Sequence, residues 1–324
     1  MPDPLVSVLL TSYNREKTIR VALESVQKQT FQDFELICSD DGSTDGTIQI
    51  LKDSPIENKV ILTSEFNQGI PKNRNKALAA CRGKYIAILD SDDAFYLNKL
   101  EEQVRYLEAN PDVEMTFSAP QLMGPNLELL PESLAPSFYK VSFKNRFEWL
   151  RYFYFKANCI CNSSTMIRRD CLTALGAYNE AYNIGEDFDL FIRFFLAGHR
   201  VYVMDYPLTF YRIHPDRITQ PTEEKIPKSL AFLVQILKDR FFSIEDTELL
   251  RQIFPEIKSS TISMMRYDLA TLSEERDPYF HQKMAFDVKE FLLSDPNCKL
   301  EIETELERRR NRPLSRLKHL FFAK

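Results

Sequence analysis

Five apolar residues, Tyr85-Ile86-Ala87-Ile88-Leu89, run directly into Asp90-Ser91-Asp92-Asp93. A run of this length with isoleucine at alternate places and Arg82-Gly83 upstream reads as a buried strand. Three carboxylates at one strand end repel one another unless something positive sits among them. Oxygen donors of this kind suit a hard cation, Mg²⁺ or Mn²⁺, commonly held by one or two carboxylates plus substrate phosphates. The plain structural alternative is an acidic turn capping the next helix, because Asp93 precedes a Leu97, Leu100, Val104, Leu107 stripe.

Upstream, apolar strands alternate with helical stripes. Strands are expected at Val6–Thr11, Phe34–Ser39 and Val60–Thr63, before the one at Tyr85–Leu89. Between them fall helices carrying Ile19, Ala22, Leu23 and Val26, then Ile48 and Leu51 behind a Thr44-Asp45 cap, then Ala77, Leu78 and Cys81 after Pro71. Such alternation predicts an α/β fold with a mostly parallel sheet, whose ligands bind beyond the carboxyl ends of the strands. The polar clusters of this half all stand at such ends: Thr11-Ser12-Tyr13-Asn14, Asp40-Asp41-Gly42-Ser43 and Asp90-Ser91-Asp92-Asp93. They are expected to form one site.

From Met115 to Pro207 the pattern is mixed, with strands near Met115–Ala119, Ser164–Ile167 and Val201–Met204 and a helix from Asp187 to Ala197. After Pro221 it is almost wholly helical, with stripes such as Ile226, Leu230, Leu233, Leu237 and Phe280, Met284, Phe291. A boundary at 219–222 divides the chain into a mixed α/β region, 1–220, and a helical region, 221–324. The net charge of −5 gives no reason to expect nucleic acid. No apolar run approaches bilayer length, and Met1-Pro2-Asp3-Pro4 lacks a basic region followed by a hydrophobic core, so a cytoplasmic protein is expected. The six cysteines show no zinc-knuckle spacing and read as free thiols in a reducing compartment.

Tyr13, between a strand and a helix, could stack on a nucleotide base or pack beneath the helix. Asp41 can accept from a pyrimidine N–H, which selects uracil, or serve only as a turn residue. Arg74, in the first turn of a helix beside Asn73 and Asn75, is expected at the rim of the sheet interface, where guanidinium and helix-terminal amides favour a phosphate. A solvated arginine is the alternative. Asp187 opens an amphipathic helix, and the helix dipole stabilises an acid there whether or not it does chemistry.

These residues resemble the GT-A-fold glycosyltransferases of family 2, which move a sugar from a nucleotide donor with inversion. The matching pieces are Val6 to Asn14, Gln29 to Leu36, Asp40 to Asp45, Asn67-x-Gly69 before Arg74-Asn75, Leu89 to Asp93, Gly185-Glu186-Asp187 and Tyr211-Arg212-x-His214, in the family's order across residues 5 to 215. The resemblance implies a UDP-sugar donor touched by Thr11, Tyr13, Asp41, Arg74, Asp90 and Asp92. It implies Mn²⁺ or Mg²⁺ on Asp92, Asp93 and His214, Asp187 as general base with Glu186 orienting the acceptor, and glycan or polysaccharide synthesis.

Two rivals stand beside it. A nucleotidyltransferase would need a Gly-rich loop, and Leu9 to Lys17 contains no glycine. A non-catalytic nucleotide-sugar binder would predict a damaged acidic triplet or a missing base. The tail from Arg308 carries seven Arg or Lys and no acid, with Leu314, Leu317 and Phe321 interleaved. It reads either as a solvated helix end or as a peripheral contact with anionic membrane, which a lipid-linked glycan acceptor would suit.

Overall fold

The computed structural model describes residues 3–134, 137–214, 225–274 and 280–310. The first half runs β1 (Val6–Ser12), α1 (Ile19–Gln27), β2 (Phe34–Asp40), α2 (Thr47–Asp53), β3 (Lys59–Thr63), α3 (Ile70–Ala80) and β4 (Tyr85–Asp90). It continues with β5 (Ala94–Phe95), α4 (Lys99–Ala109), β6 (Met115–Ser118), β7 (Gln121–Met123), α5 (Arg146–Lys156), β8 (Met166–Arg168), α6 (Arg169–Ala174), α7 (Glu186–Leu196), β9 (Val201–Met204), β10 (Thr209–Arg212) and α8 (Lys225–Phe241).

Seven strands form one sheet in the order β3-β2-β1-β4-β8-β6-β9, in which only β8 runs against its neighbours. Parallel pairing at β3-β2-β1-β4 places four strand ends on one ledge, with Thr11 level with Ser39 on one side and Asp90 on the other. Below that ledge Val8 and Leu10, Leu36 and Cys38, Ala87 and Leu89 share a face with Ile19, Ala22, Leu23 and Val26 of α1, all buried. A strand covered on both sides has no use for polar alternation, which is why β4 reads as an unbroken apolar run.

The mostly parallel α/β core matches the sequence pattern, and the differences have local causes. Helix α4 begins at Lys99, not after Asp93, and Leu97 is 58% exposed, so the acidic triplet does not cap that helix. Helix α2 begins at Thr47, whose N–H is accepted by Asp45 at 3.0 Å. The short strands β5, β7 and β10 form a separate three-stranded sheet, which no apolar period announced. Ser164 lies in a 3-10 turn ahead of β8.

By contacts the chain divides into two compact units, 1–236 and 237–324. The second contains α9 (Thr247–Ile253), α10 (Ile262–Glu274), α11 (Phe280–Ser294) and α12 (Pro296–Arg310). Its core gathers Met264, Ala270, Ala285, Val288, Leu292 and Ile302. Met284 is buried as its stripe predicts, whereas Phe291 is 74% exposed, because Val288 and Leu292 take the inward face of α11. All six cysteines are free, and five are buried. Among the described residues no helix is long and apolar enough to cross a membrane. The expected boundary at 219–222 and the tail residues Leu314, Leu317 and Phe321 lie outside the described residues.

Candidate active site

Three of the pairs of adjacent acids in the first unit concern the site: Asp40-Asp41, Asp92-Asp93 and Glu186-Asp187. In the first two, one acid is largely taken up by the protein and the other keeps an oxygen for something else.

At the end of β2, Asp40 accepts from Ser12 Oγ at 2.8 Å, Ser43 N at 2.8 Å and Ser43 Oγ at 2.6 Å. Asp41 Oδ2 accepts from the backbone N–H groups of Gln68 and Gly69 at 3.0 and 2.9 Å. Its Oδ1 is buried without a partner, which is costly unless a donor arrives. The loop carrying those amides packs on Gly42, where an added Cβ would stand 2.8 Å from Phe66 Cα; Gly42 also has φ +78°, so no side chain fits there without strain. Two exposed aromatics flank this turn. Tyr13 is 40% exposed and precedes Asn14, which is tied to Ser43 and Thr44; Phe66 is 65% exposed. Phe66 escapes sequence reasoning because a lone aromatic in a loop carries no period.

At the end of β4, Asp90 accepts from Arg74 Nη2 at 2.7 Å and from Asn162 Nδ2 at 3.2 Å. Asp93 is fully buried, accepting from Ser163 Oγ and from Arg212 N at 3.0 Å. Burial first, then the charges of Asp92 and Asp90, push its carboxyl well above the ordinary range. Asp92 differs: its Oδ2 meets His214 Nε2 at 3.0 Å. Burial opposes its charge, yet His214 and the cation of Arg15 hold its carboxyl below the ordinary range. The expected trio Asp92, Asp93 and His214 is not gathered in one place, because Asp93 turns its oxygens to Ser163 and Arg212. Among the described residues no three His, Cys, Asp or Glu side chains are gathered to hold a metal ion alone. A carboxylate and an imidazole side by side do fit a divalent cation that completes its shell with phosphate oxygens and water.

Helix α7 opens after Gly185, whose left-handed φ of 80° turns the chain into the helix. Glu186, buried, lies 2.8 Å from Arg74 Nη1. Asp187, half-buried, accepts from Asn158 Nδ2 at 3.2 Å and from Phe188 N at 2.7 Å. Burial raises both carboxyls while Arg74 pulls the other way.

Arg74 is not at the rim. It is buried between Asp90 and Glu186, with its guanidinium 5.3 Å over the Tyr178 ring. The sequence pattern also missed the segment 157–165, whose Asn158, Asn162 and Ser163 donate to Asp187, Asp90 and Asp93 in turn. Its signal was a run of small polar residues, Asn162-Ser163-Ser164-Thr165, between apolar stretches. Buried Lys99 helps hold that segment through Thr165 O at 3.3 Å.

Comparison with known proteins bears on this geometry. The model of the family "Glycosyl transferase family 2" matches residues 7–176. An uncharacterised glycosyltransferase of Methanocaldococcus jannaschii is 33% identical over 221 residues, 67% of this chain and 73% of that protein. An Escherichia coli UDP-Glc:α-D-GlcNAc-diphosphoundecaprenol β-1,3-glucosyltransferase is 43% identical over 111 residues, 34% of this chain and 44% of that one. Among solved structures, TarS of S. aureus with UDP-GlcNAc superposes with a TM-score of 0.61 at 19% identity, over 90% of this chain and 81% of that one. A mannosyltransferase of Pyrobaculum calidifontis, with GDP-Man and Mn²⁺, gives 0.57 at 15% identity over 94% and 84%.

Proposed function

Because the chain belongs to glycosyl transferase family 2, we propose that it is an inverting enzyme moving a sugar from a UDP-sugar to a hydroxyl of a glycan or lipid-linked glycan. The catalytic region is residues 1–220, with 221–324 as a helical addition. The buried, partnerless Oδ1 of Asp41 carries this reading. It lacks a donor, and the imide N–H of uracil supplies one. Tyr13 provides a face for the base, Thr11 lines the ledge beside it, and Asp90 meets the ribose. Relatives named for UDP-linked sugars and diphosphoundecaprenol acceptors support the donor and acceptor classes.

Asp92 and His214 would hold Mn²⁺ or Mg²⁺, with Asp93 bracing the loop behind them. Such an ion, when bound, offsets the charge that builds on a departing diphosphate. Asp187 removes the proton of the acceptor hydroxyl. That oxygen then bonds to the anomeric carbon from the face opposite the nucleoside diphosphate, whose bond to carbon breaks in the same displacement. The chain contributes chiefly by positioning and by placing charge in advance.

Calorimetry of UDP with and without Mn²⁺ tests the site. Asp92→Ala and His214→Ala should each lose the metal-dependent part of the affinity, and unchanged affinity in both removes the pair from the site. A glycan product from purified protein separates this reading from a non-catalytic binder or a nucleotidyltransferase. For the basic tail, a chain ending at Glu307 should sediment less with anionic vesicles than the full chain; equal sedimentation removes the membrane contact.

A further inference from the structure

Arg74 occupies a place that its expected role does not explain. A phosphate-binding arginine keeps donors free at a surface, whereas this one is enclosed. Nη2 donates to Asp90 at 2.7 Å and Nη1 is paired by charge with Glu186 at 2.8 Å, although Nη1 and Nε make no hydrogen bond of their own, and the flat of the guanidinium covers Tyr178. The two carboxylates come from distant parts of the chain, the end of β4 and the first residue of α7. Only a planar fork with several donors can satisfy both at once. Without the cation, half-buried Asp90 and buried Glu186 would stand near a third acid, Asp187, an arrangement disfavoured in the charged form.

We propose that Arg74 is a positioning residue that ties the donor-side carboxylate Asp90 to Glu186, and through the first turn of α7 sets the orientation and ionisation of Asp187. This rests on the reading of Asp187 as the base. The groups facing Asp187 are Arg74 from α3, Asp90 from β4, Glu186 from its own helix, the phenol of Tyr178 and the neutral amide of Asn158. Arg74 is the cation in that set. It keeps the base charged and ready, while Asp90 and Glu186 push toward protonation. The same guanidinium that braces the donor-side Asp90 thereby prepares the acceptor-side base, so the two halves of the reaction share one buried contact.

The test measures kcat at saturating donor and metal across pH, with UDP affinity in Mn²⁺ by calorimetry, for Arg74→Gln, Arg74→Lys and Glu186→Gln. Removing the cation should raise the acid limb of kcat by about one pH unit, the scale of a close ion pair. Arg74→Lys, a point charge that cannot fork, should restore the limb in part. Glu186→Gln, which removes the carboxyl that competes with Asp187 for Arg74, should move the limb down. UDP affinity should fall by less than about tenfold in Arg74→Gln, whose one link to the nucleotide is through Asp90 at the ribose, and by less than about threefold in Glu186→Gln. A limb that stays still in both Arg74→Gln and Glu186→Gln overturns the proposal. So does a tenfold or greater loss of UDP affinity in Arg74→Gln with an unmoved limb, the mark of a phosphate ligand. If Arg74→Gln does not fold, Glu186→Gln decides alone by the direction of its shift. Asp187→Asn keeps the two failures apart: full turnover in that variant sinks the base itself, while an inactive Asp187→Asn beside unmoved limbs sinks only the role of Arg74.

Discussion

The Asp40-Asp41 corner and the Glu186-Asp187 corner solve the same problem by different means. Adjacent acids are held at both, yet at the first every donor is neutral: serine hydroxyls and backbone amides. At the second a buried guanidinium does most of the holding. Neutral donors fix where an oxygen points and suit recognition, in which a base either presents its N–H or does not. A cation also sets whether a carboxyl is charged, and a residue that must accept a proton during the reaction needs that control. On the proposed function, the difference separates a corner suited to reading a ligand from one suited to reacting.

Breaking the reactive corner should have the larger effect. Asp187→Asn should retain UDP binding while turnover falls about 100-fold or more, the range for loss of a general base. Near-normal transfer by this variant would move the base to Glu186 or another acid and dissolve the contrast between the corners.

At the reading corner, Asp41→Asn should weaken UDP binding about tenfold or more, the scale of a hydrogen bond to a charged group. The amide oxygen would turn to the N–H groups of Gln68 and Gly69, leaving an NH₂ group where Oδ1 had awaited a donor. That exchange should improve CDP relative to UDP, because cytosine offers an acceptor at the same ring position. Calorimetry with both nucleotides checks it, and an unchanged preference would assign Asp41 to the turn alone.

These corners were unequally legible in the sequence. The reading corner follows from local pattern, since β1, β2 and β4 end together once their pairing is parallel, and the acids at their ends are bound to meet. The pattern placed Asp41 and Asp92 at those ends. The support of the reactive corner is non-local. Arg74 meets Glu186 across 112 positions of sequence (186 − 74), and no period encodes such a meeting. Its apolar neighbours Ala77 and Leu78 suggested only the edge of a buried face. Asn158, Asn162 and Ser163 belong to a segment of little regular structure, where helix and strand periods have nothing to report. Asp93 looked equivalent to Asp92 in the sequence, and only its partners Ser163 and Arg212 set the two apart.

At the Glu186-Asp187 corner, turnover and stability should answer oppositely to pH. Burial raises the Asp187 carboxyl above its ordinary 3.8, so turnover should fall on acidification at a pH above that value, as the base gains a proton. Stability should move the other way at the same helix start. The Glu186 carboxyl is raised above its ordinary 4.5, chiefly by burial, so the folded chain binds its proton more tightly than the unfolded one. That contribution to stability is full below 4.5 and is lost as pH rises through the folded value. Thermal melting at pH 5 and pH 8 should show wild type losing more than Glu186→Gln, and parallel losses would contradict the raised carboxyl.

The smallest expected effect separates the two kinds of donor within the reactive corner itself. Asn158 Nδ2 is a neutral donor to Asp187 at 3.2 Å, like those around Asp41, and it stands opposite a guanidinium. A neutral hydrogen bond contributes about 0.5–1.5 kcal/mol, so Asn158→Ala should lower turnover about three- to tenfold through a looser base. It carries no charge, and its loss should leave the acid limb within about 0.3 pH unit of wild type, well short of the shift an ion pair controls. Turnover and limb are read from one pH series. If Asn158→Ala moved the limb as far as Arg74→Gln does, neutral and charged donors would be acting alike, and the distinction between a corner that reads and a corner that reacts would fail at the residue where it should be sharpest.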